Sequence, residues 1–355
     1  MKLGIVLNYI RHDSTYAALK TAELLRDQGY YVTFFDKNIK SAKARLHAHW
    51  DDFMLSSKEV AFEDWLDDCD IVVWFAYPSV KESKILKKEK IPSICVATWD
   101  SVDDDVISSI KLCNKVVCPS KAQTTYFKDY WRLPDVTYVP LACNVPLTNN
   151  SRLINDSVKM LVACPGYQLK RIDHSKLFDA LYMAMLMFPK LNVDFLFSSK
   201  VASQIKVNVT KFEKTFESGN KLTTIDDPTG LAEGPLAYSL CDITLWPVQL
   251  ESFGYVGLES LSMGTPVIAY DFSPMNEIIQ DGLNGFLIPC DKKETDMGVN
   301  FAAHNGKEMV KVLTSIMCHP DKILKARLGT HLGLTERNKD FKEGWSALLE
   351  DATKE

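Results

Sequence analysis

In the stretch Glu251-Ser-Phe-Gly-Tyr-Val-Gly-Leu-Glu259, two carboxylates stand eight positions apart. On one helix that spacing sets them about 80° apart around the axis and ~12 Å apart along it. They cannot serve as one acid/base dyad on a single small group. They can grip the two ends of an elongated ligand whose middle meets the helix start. Ser252, Phe253 and Gly254 are expected to form that start, with backbone N–H groups and a dipole that favour an anion. Carboxylate, anion nest and carboxylate in this order suit a sugar, a diphosphate and a ribose. Paired glutamates on a helix commonly just face solvent. What weighs for chemistry here is the company they keep: Gly264-Thr-Pro266-Val, Glu277, and Asp281-Gly282-Leu-Asn-Gly285 follow directly.

A second candidate lies upstream, where Gly166 is followed by Lys170-Arg171. Two cations after a strand and a glycine-bearing loop can neutralise a diphosphate, although such a pair also occurs as plain surface charge. Other sets are weaker. His47 and His49 alternate with no third ligand, which argues against a metal. Asp103-Asp104-Asp105 superficially offers an Asp-x-Asp but reads as a solvated turn. Tyr182–Met187, rich in methionine, reads as core packing.

The elements that position these residues alternate. Strands are expected at Leu3–Leu7, Tyr31–Phe35, Ile71–Phe75, Ser93–Ala97, Val116–Cys118 and Thr137–Val139, with a helix over Thr15–Gln28 stopped by Gly29. The alternation restarts with a strand at Lys159–Cys164, a helix at Asp173–Phe188 and strands at Val193–Phe197, Ile243–Trp246, Pro266–Tyr270 and Gly285–Ile288. Strand, helix, strand in repetition implies parallel sheets covered on both faces. The expected organisation is a Rossmann-like domain over 1–145, a linker over 146–157, a second Rossmann-like domain over 158–335, and a helix in 336–355 that packs back on the first. Two such α/β domains place the carboxyl ends of their strands around a central cleft.

Composition bounds the alternatives. With 355 residues, 46% hydrophobic and 25% charged, the chain is an ordinary globular two-domain protein. No apolar run is long enough to span a bilayer, and the N-terminus reads as a strand, so a cytoplasmic protein is expected. Nine scattered cysteines without a C-x-x-C pair fit reduced thiols. A net charge of −5 argues against a nucleic-acid coat.

With these residues on the page, the second half resembles the retaining glycosyltransferases of the GT-B fold called family 4, the group 1 glycosyl transferases. The two glutamates with Phe253-Gly254, then Gly264-Thr-Pro266, Glu277 and Asp281–Gly285, follow that signature in order and spacing. Asp242-Ile-Thr-Leu-Trp-Pro247 resembles the strand before it, and Val139-Pro140-Leu-Ala-Cys-Asn144 the crossover segment. The resemblance implies a doubly wound two-domain enzyme that moves a sugar from a nucleotide-diphosphate sugar to a hydroxyl, with retained configuration. It implies that Glu251 binds donor-sugar hydroxyls and Glu259 the ribose. The amides of Phe253 and Gly254, beside Ser252, would meet the distal phosphate, and Lys170 and Arg171 the departing diphosphate. Fixed cations and oriented N–H donors stabilise charge as it develops, so no metal or other cofactor is expected.

Two departures from the pattern stand out. The first loop, Asn8-Tyr-Ile-Arg-His-Asp13-Ser14-Thr15, lacks the family's glycine pair, leaving Ser14 or Thr15 as a helix cap. Trp99-Asp100 stands where the family often has a His. Asp100 is expected to make the polar contact and Trp99 to stack on a sugar or base. Base recognition is expected around Ile225–Pro228. Lys37, Lys40, Lys43 and Arg45, with Trp50 and Phe53, and then Lys81, Lys84, Lys87, Lys88 and Lys90 form two basic clusters. They suit an anionic acceptor, DNA or a lipid-linked carrier at a membrane, if they are more than solvated helix faces. A phage-type transferase acting on hydroxymethylated DNA bases, a nucleotide-sugar epimerase of the same fold and a binding-only relative, against which Glu251, Glu259, Lys170 and Arg171 speak, are the alternatives. The epimerase needs a carboxylate and His acid/base set that the sequence does not display.

Overall fold

The computed structural model describes residues 1–7, 12–37, 54–56, 60–99, 102–143, 147–150, 154, 157–164, 171–188, 191–198, 210, 221–225 and 234–354. The chain divides into two compact units, Met1–Asn144 with Arg337–Glu355, and Val145–Glu336.

In the first unit, strands β1 (Lys2–Leu7), β2 (Tyr31–Asp36), β3 (Met54–Ser56), β4 (Ile71–Trp74), β5 (Ser93–Val96), β6 (Lys115–Cys118) and β7 (Val136–Tyr138) form a sheet in the order β3-β2-β1-β4-β5-β6-β7. Every neighbouring pair is parallel. β4 and β5 are buried at every position, as strands covered on both faces must be. Gly4 lies where an added Cβ would come within 2.6 Å of Cys69 Sγ and the Trp65 ring, so the bare backbone lets Trp65 close onto the sheet. Phe35, Phe62, Trp65 and Trp74 pack ring against ring on that side.

The C-terminal segment belongs to this unit. Arg337 Nε donates to Leu141 O at 2.7 Å, and Asn338 exchanges hydrogen bonds with the Cys143 backbone. Phe341, Trp345, Leu348 and Leu349 are buried. These residues lie on the helix Leu332–Ala352, inside which the boundary at Glu336 falls.

The second unit repeats the plan. Strands β8 (Val158–Cys164), β9 (Leu191–Ser198), β10 (Lys221–Ile225), β11 (Ile243–Trp246), β12 (Val267–Tyr270) and β13 (Gly285–Ile288) order as β10-β9-β8-β11-β12-β13, all parallel. The order reverses between β8 and β11, so a crevice opens at their carboxyl ends. A separate antiparallel hairpin, β14 (Asp291–Glu294) and β15 (Asn300–Ala303), follows. The segment expected as a linker is grouped with this unit, and its described part is held there. Thr148 N–H donates to Ser262 O at 2.8 Å, and the Asn150 amide donates to Cys241 O and Thr265 Oγ1.

Several expectations are corrected. The first helix runs His12–Asp27, so Ser14 and Thr15 lie inside it as buried residues and do not cap it. Asp103 is the N-cap of the helix Asp104–Ile110, its carboxylate accepting Val106 N–H at 2.8 Å, so the acidic triplet is a helix start. Tyr182–Met187 is core at only two of its six positions. Met185 and Ala184 are buried, but Tyr182, Met183, Leu186 and Met187 are exposed, because apolar residues continue right round the helix.

Candidate active site

The site is built on the turn after β11. The helix starts at Tyr255, with Gly254 as its N-cap at φ 85°, three residues beyond the expected start at Ser252. Glu251 therefore sits on the loop and Glu259 alone on the helix, and the two carboxylates are not related by helix geometry. Both are buried, Glu251 at 1% exposure and Glu259 at 7%. Glu251 Oε1 accepts the backbone N–H of Ser252 at 2.9 Å and of Phe253 at 3.0 Å. Of the two amides expected to meet a phosphate, that of Phe253 thus bonds the carboxylate, together with that of Ser252. The start of the helix moves on to Gly254 and Tyr255.

Gly254 is required twice over. Its φ is left-handed, and a Cβ there would lie 2.4 Å from Ile278 Cδ1. Gly257 sits on the Trp246 ring, with 2.9 Å available to a Cβ. The turn is thus pressed onto the end of β11 by two missing side chains. The far end of the helix is fixed by Ser260, whose hydroxyl donates to Thr265 O and accepts from the Thr244 hydroxyl, and by Ser262, which donates to Glu259 O. Gly264, at φ 72°, would carry a Cβ 2.5 Å from Asn150 N.

Other motif residues are structural. Asn284 Oδ1 accepts Gln280 N–H, and its amide donates to Ile278 O. Asp281 accepts Leu287 N–H, and a Cβ on Gly285 would meet Val267 O at 2.2 Å. Glu277 accepts the Ser273 hydroxyl.

Arg171 is brought to the same loop. Its carbonyl accepts Gln249 N–H at 2.8 Å, and its guanidinium stands 3.5 Å from Leu250 O, next to Glu251. Sequence reasoning missed Gln249. Its side-chain amide donates to Ala302 O at 3.0 Å, while its carbonyl accepts Ala302 N–H at 2.9 Å. The β14–β15 hairpin is thereby moored beside the site. Two residues on, His304 Nδ1 bonds the Tyr270 hydroxyl. Burial lowers the His304 pKa, opposed by the Asp173 carboxylate. Asp173 is itself held below the usual carboxylate range, first by its bond to Lys176, 2.8 Å away. No local sequence signal pairs residues so far apart.

Gly166, Lys170, Asp100 and positions 226–228 lie outside the described residues, as do His47, His49, Lys40, Lys43, Arg45, Trp50 and Phe53. Trp99 is buried, edge-on to Tyr126 at 6.4 Å, so it packs in the unit instead of offering a stacking face. Lys37 is no open cation either. It pairs with Glu82 at 2.7 Å, donates to Tyr77 O and lies over the Trp74 ring. Lys81, Lys84, Lys87, Lys88 and Lys90 are exposed.

Residues 232–312 match the family model described as glycosyl transferases group 1. A stretch of 56 residues is 41% identical to an uncharacterized 41.2 kDa protein of the cps region of Klebsiella pneumoniae, covering 16% of each protein. A stretch of 55 residues is 34% identical to the alpha-D-kanosaminyltransferase of Streptomyces kanamyceticus, covering 16% of this chain and 14% of that one. The matches span about a sixth of these relatives' lengths. Solved structures are similar over nearly the whole chain. Anabaena Alr3699/HepE in complex with UDP and glucose gives a TM-score of 0.73 at 12% identity, covering 99% of this chain and 100% of that one. The pneumococcal O-GlcNAc transferase GtfA in complex with UDP and GlcNAc gives 0.71 at 12% identity, covering 99% of each. At such identity the likeness speaks for the fold, and the short match speaks for the site segment. The chain has the GT-B fold, and its residues 232–312 are similar to the glycosyl transferases group 1.

Proposed function

We propose that the protein is a retaining, metal-independent glycosyltransferase that moves a sugar from a nucleotide-diphosphate sugar to a hydroxyl acceptor in the cytoplasm. The observation that carries this reading is the buried Glu251 carboxylate. It is clamped by its own loop at the carboxyl end of β11, with Arg171 tied to the same loop. A solvent-facing glutamate would need no such clamp.

In this reading the second unit binds the donor. Glu251 accepts hydrogen bonds from sugar hydroxyls and Glu259 from the ribose. The helix start at Gly254 faces the distal phosphate, and Arg171 with its neighbour Lys170 neutralises the diphosphate as it leaves, with Gly166 giving its backbone room. Charge that grows on the leaving group meets groups already in place, which lowers the barrier without reorganisation. The first unit takes the acceptor, with Asp100 contributing a polar contact. The departing phosphate oxygen takes the acceptor's proton and the acceptor attacks on the same face; a sugar trapped covalently on Glu251 would overturn that step. HepE and GtfA with UDP in their complexes favour a uridine-diphosphate sugar as donor.

Thermal shift with a panel of nucleoside diphosphates and their sugars is the direct test. Stabilisation by one base, lost in Glu259→Ala, is expected. A protein that no nucleoside diphosphate stabilises is not this enzyme.

A further inference from the structure

Three segments of the second unit meet at Gln249. Its backbone N–H donates to Arg171 O at 2.8 Å, which ties the loop after β11 to the segment after β8. Its backbone carbonyl accepts the N–H of Ala302 at 2.9 Å, and its side-chain Nε2 donates to Ala302 O at 3.0 Å. Two residues further on stands Glu251, buried and held by the amides of Ser252 and Phe253. Between them, Leu250 O lies 3.5 Å from the Arg171 guanidinium.

The doubled bond to Ala302 has a physical cause. β14 and β15 form a ribbon of two strands, so the outer edge of β15 carries N–H and C=O groups that β14 does not pair. Ala302 is fully buried, and buried backbone groups need partners. Gln249 supplies both, the acceptor from its backbone and the donor from its side chain. β14, by contrast, is exposed at all four positions. The ribbon is fixed a second time just beyond β15, where His304 Nδ1 bonds the Tyr270 hydroxyl at the end of β12. Held at both points, it is a brace for the loop, and the Gln249 amide is the loop's own side-chain hold on it.

We infer that Gln249 is a positioning residue for the sugar end of the donor, acting through Glu251. Given the proposed donor site, on which this rests, Arg171 meets the diphosphate and Glu251 the sugar. The backbone N–H of Gln249 serves the diphosphate side, and any residue except proline can provide it. Its side-chain amide serves the sugar side, because it fixes the peptide that leads into Glu251 against the ribbon. Without that amide, Ala302 O is left unpaired and the loop can carry the Glu251 carboxylate off the sugar hydroxyls, while the contact to Arg171 stays. Small misplacements of a group that positions substrate cost rate steeply.

Gln249→Met keeps the side-chain length and every backbone bond but has no donor. Calorimetry gives the UDP affinity. Slow release of UDP from radiolabelled UDP-glucose and UDP-N-acetylglucosamine, with water as acceptor and the protein in excess, gives the rate at the sugar without recourse to the natural acceptor. The expected result is a release rate roughly 5-fold lower, with a Kd for UDP within about 2-fold of wild type. In a Glu251→Gln background the same change should add less than about 2-fold, because the carboxylate through which it acts is gone. Gln249→Glu, which sets an oxygen against Ala302 O, should fall at least as far and replaces Gln249→Met if that variant does not fold. Losses that multiply in the double variant, an equal loss of UDP affinity, or an unchanged release rate each overturn the inference. A wild-type protein that neither binds UDP nor releases it overturns the uridine-diphosphate donor itself, a failure distinct from the other three, and the inference with it.

Discussion

Glu251 is a residue whose setting, not its proposed role, differs between sequence and structure. As a helix residue it would answer to the spacing of Glu259. As a loop residue it answers to the two amides that follow it, which fix one carboxylate oxygen. Glu251→Gln keeps that accepting oxygen and removes the charge. It is expected to lower kcat on the order of 100-fold while the urea midpoint barely moves. Glu259→Gln should act mainly on KM for the donor, raising it roughly 10-fold. Steady-state kinetics on both variants separates the two roles, and equal effects on kcat would contradict the division of labour. Asp173 is the N-cap of the helix His174–Met187, accepting Lys176 N–H at 3.2 Å. Asp173→Ala should cost about 1 kcal/mol at pH 7. A carboxylate whose folded pKa is depressed contributes stability above its unfolded pKa and loses it as pH falls through the folded value. The gap between wild type and Asp173→Ala in denaturant melts should therefore close on acidification below the ordinary carboxylate range. A constant gap would assign the effect to helix propensity.

The turn from β11 into the helix Tyr255–Ser262 shows what the glycines do at the scale of an element. Gly254→Ala must leave a left-handed conformation and displace Ile278, at a cost of roughly 1–3 kcal/mol. Donor affinity should fall along with stability, because the same turn holds Glu251. Calorimetry of nucleotide binding and thermal melts on one sample check both. β11 itself is anchored at its start. Asp242, fully buried, accepts Lys159 N–H at 2.7 Å and pairs with Arg327 at 2.6 Å. Arg327→Met leaves that carboxylate with an uncompensated charge and should cost roughly 3–5 kcal/mol. Asp242→Asn combined with Arg327→Met should recover part of it, and urea melts on the two variants decide.

At the scale of the whole chain, the first unit is completed by residues from its distant end. Phe341, Trp345 and Leu349 fill its core, and Lys115 pairs with Asp351 at 2.9 Å. Ending the chain after Glu336 should strip the first unit of that core while leaving the strands of the second unit whole. Proteolysis should then yield a resistant fragment that still contains Thr148 and Asn150, and an equally resistant first unit would refute the account. Among the described residues no helix is long and apolar enough to cross a membrane.

Two parallel sheets were legible in the sequence because their strands are short, apolar and separated by helical periods, and all but the short β3, β10 and the β14–β15 hairpin were expected. The site segment was legible because Glu251, Gly254, Glu259 and Gly264 lie within one continuous stretch. Where the helix begins was not legible. The choice between Ser252 and Tyr255 rests on a left-handed Gly254 wedged between Ile278 and Trp246, a contact between distant parts of the chain. The same holds for Lys37, just past β2, whose charge is settled by Glu82 on the helix Val80–Glu89, and for Trp99, claimed by Tyr126. Sequence alone determined which chemistry the chain can hold, since residue type and spacing carry it. Tertiary structure decided which groups are already engaged, because burial and partners come only from packing.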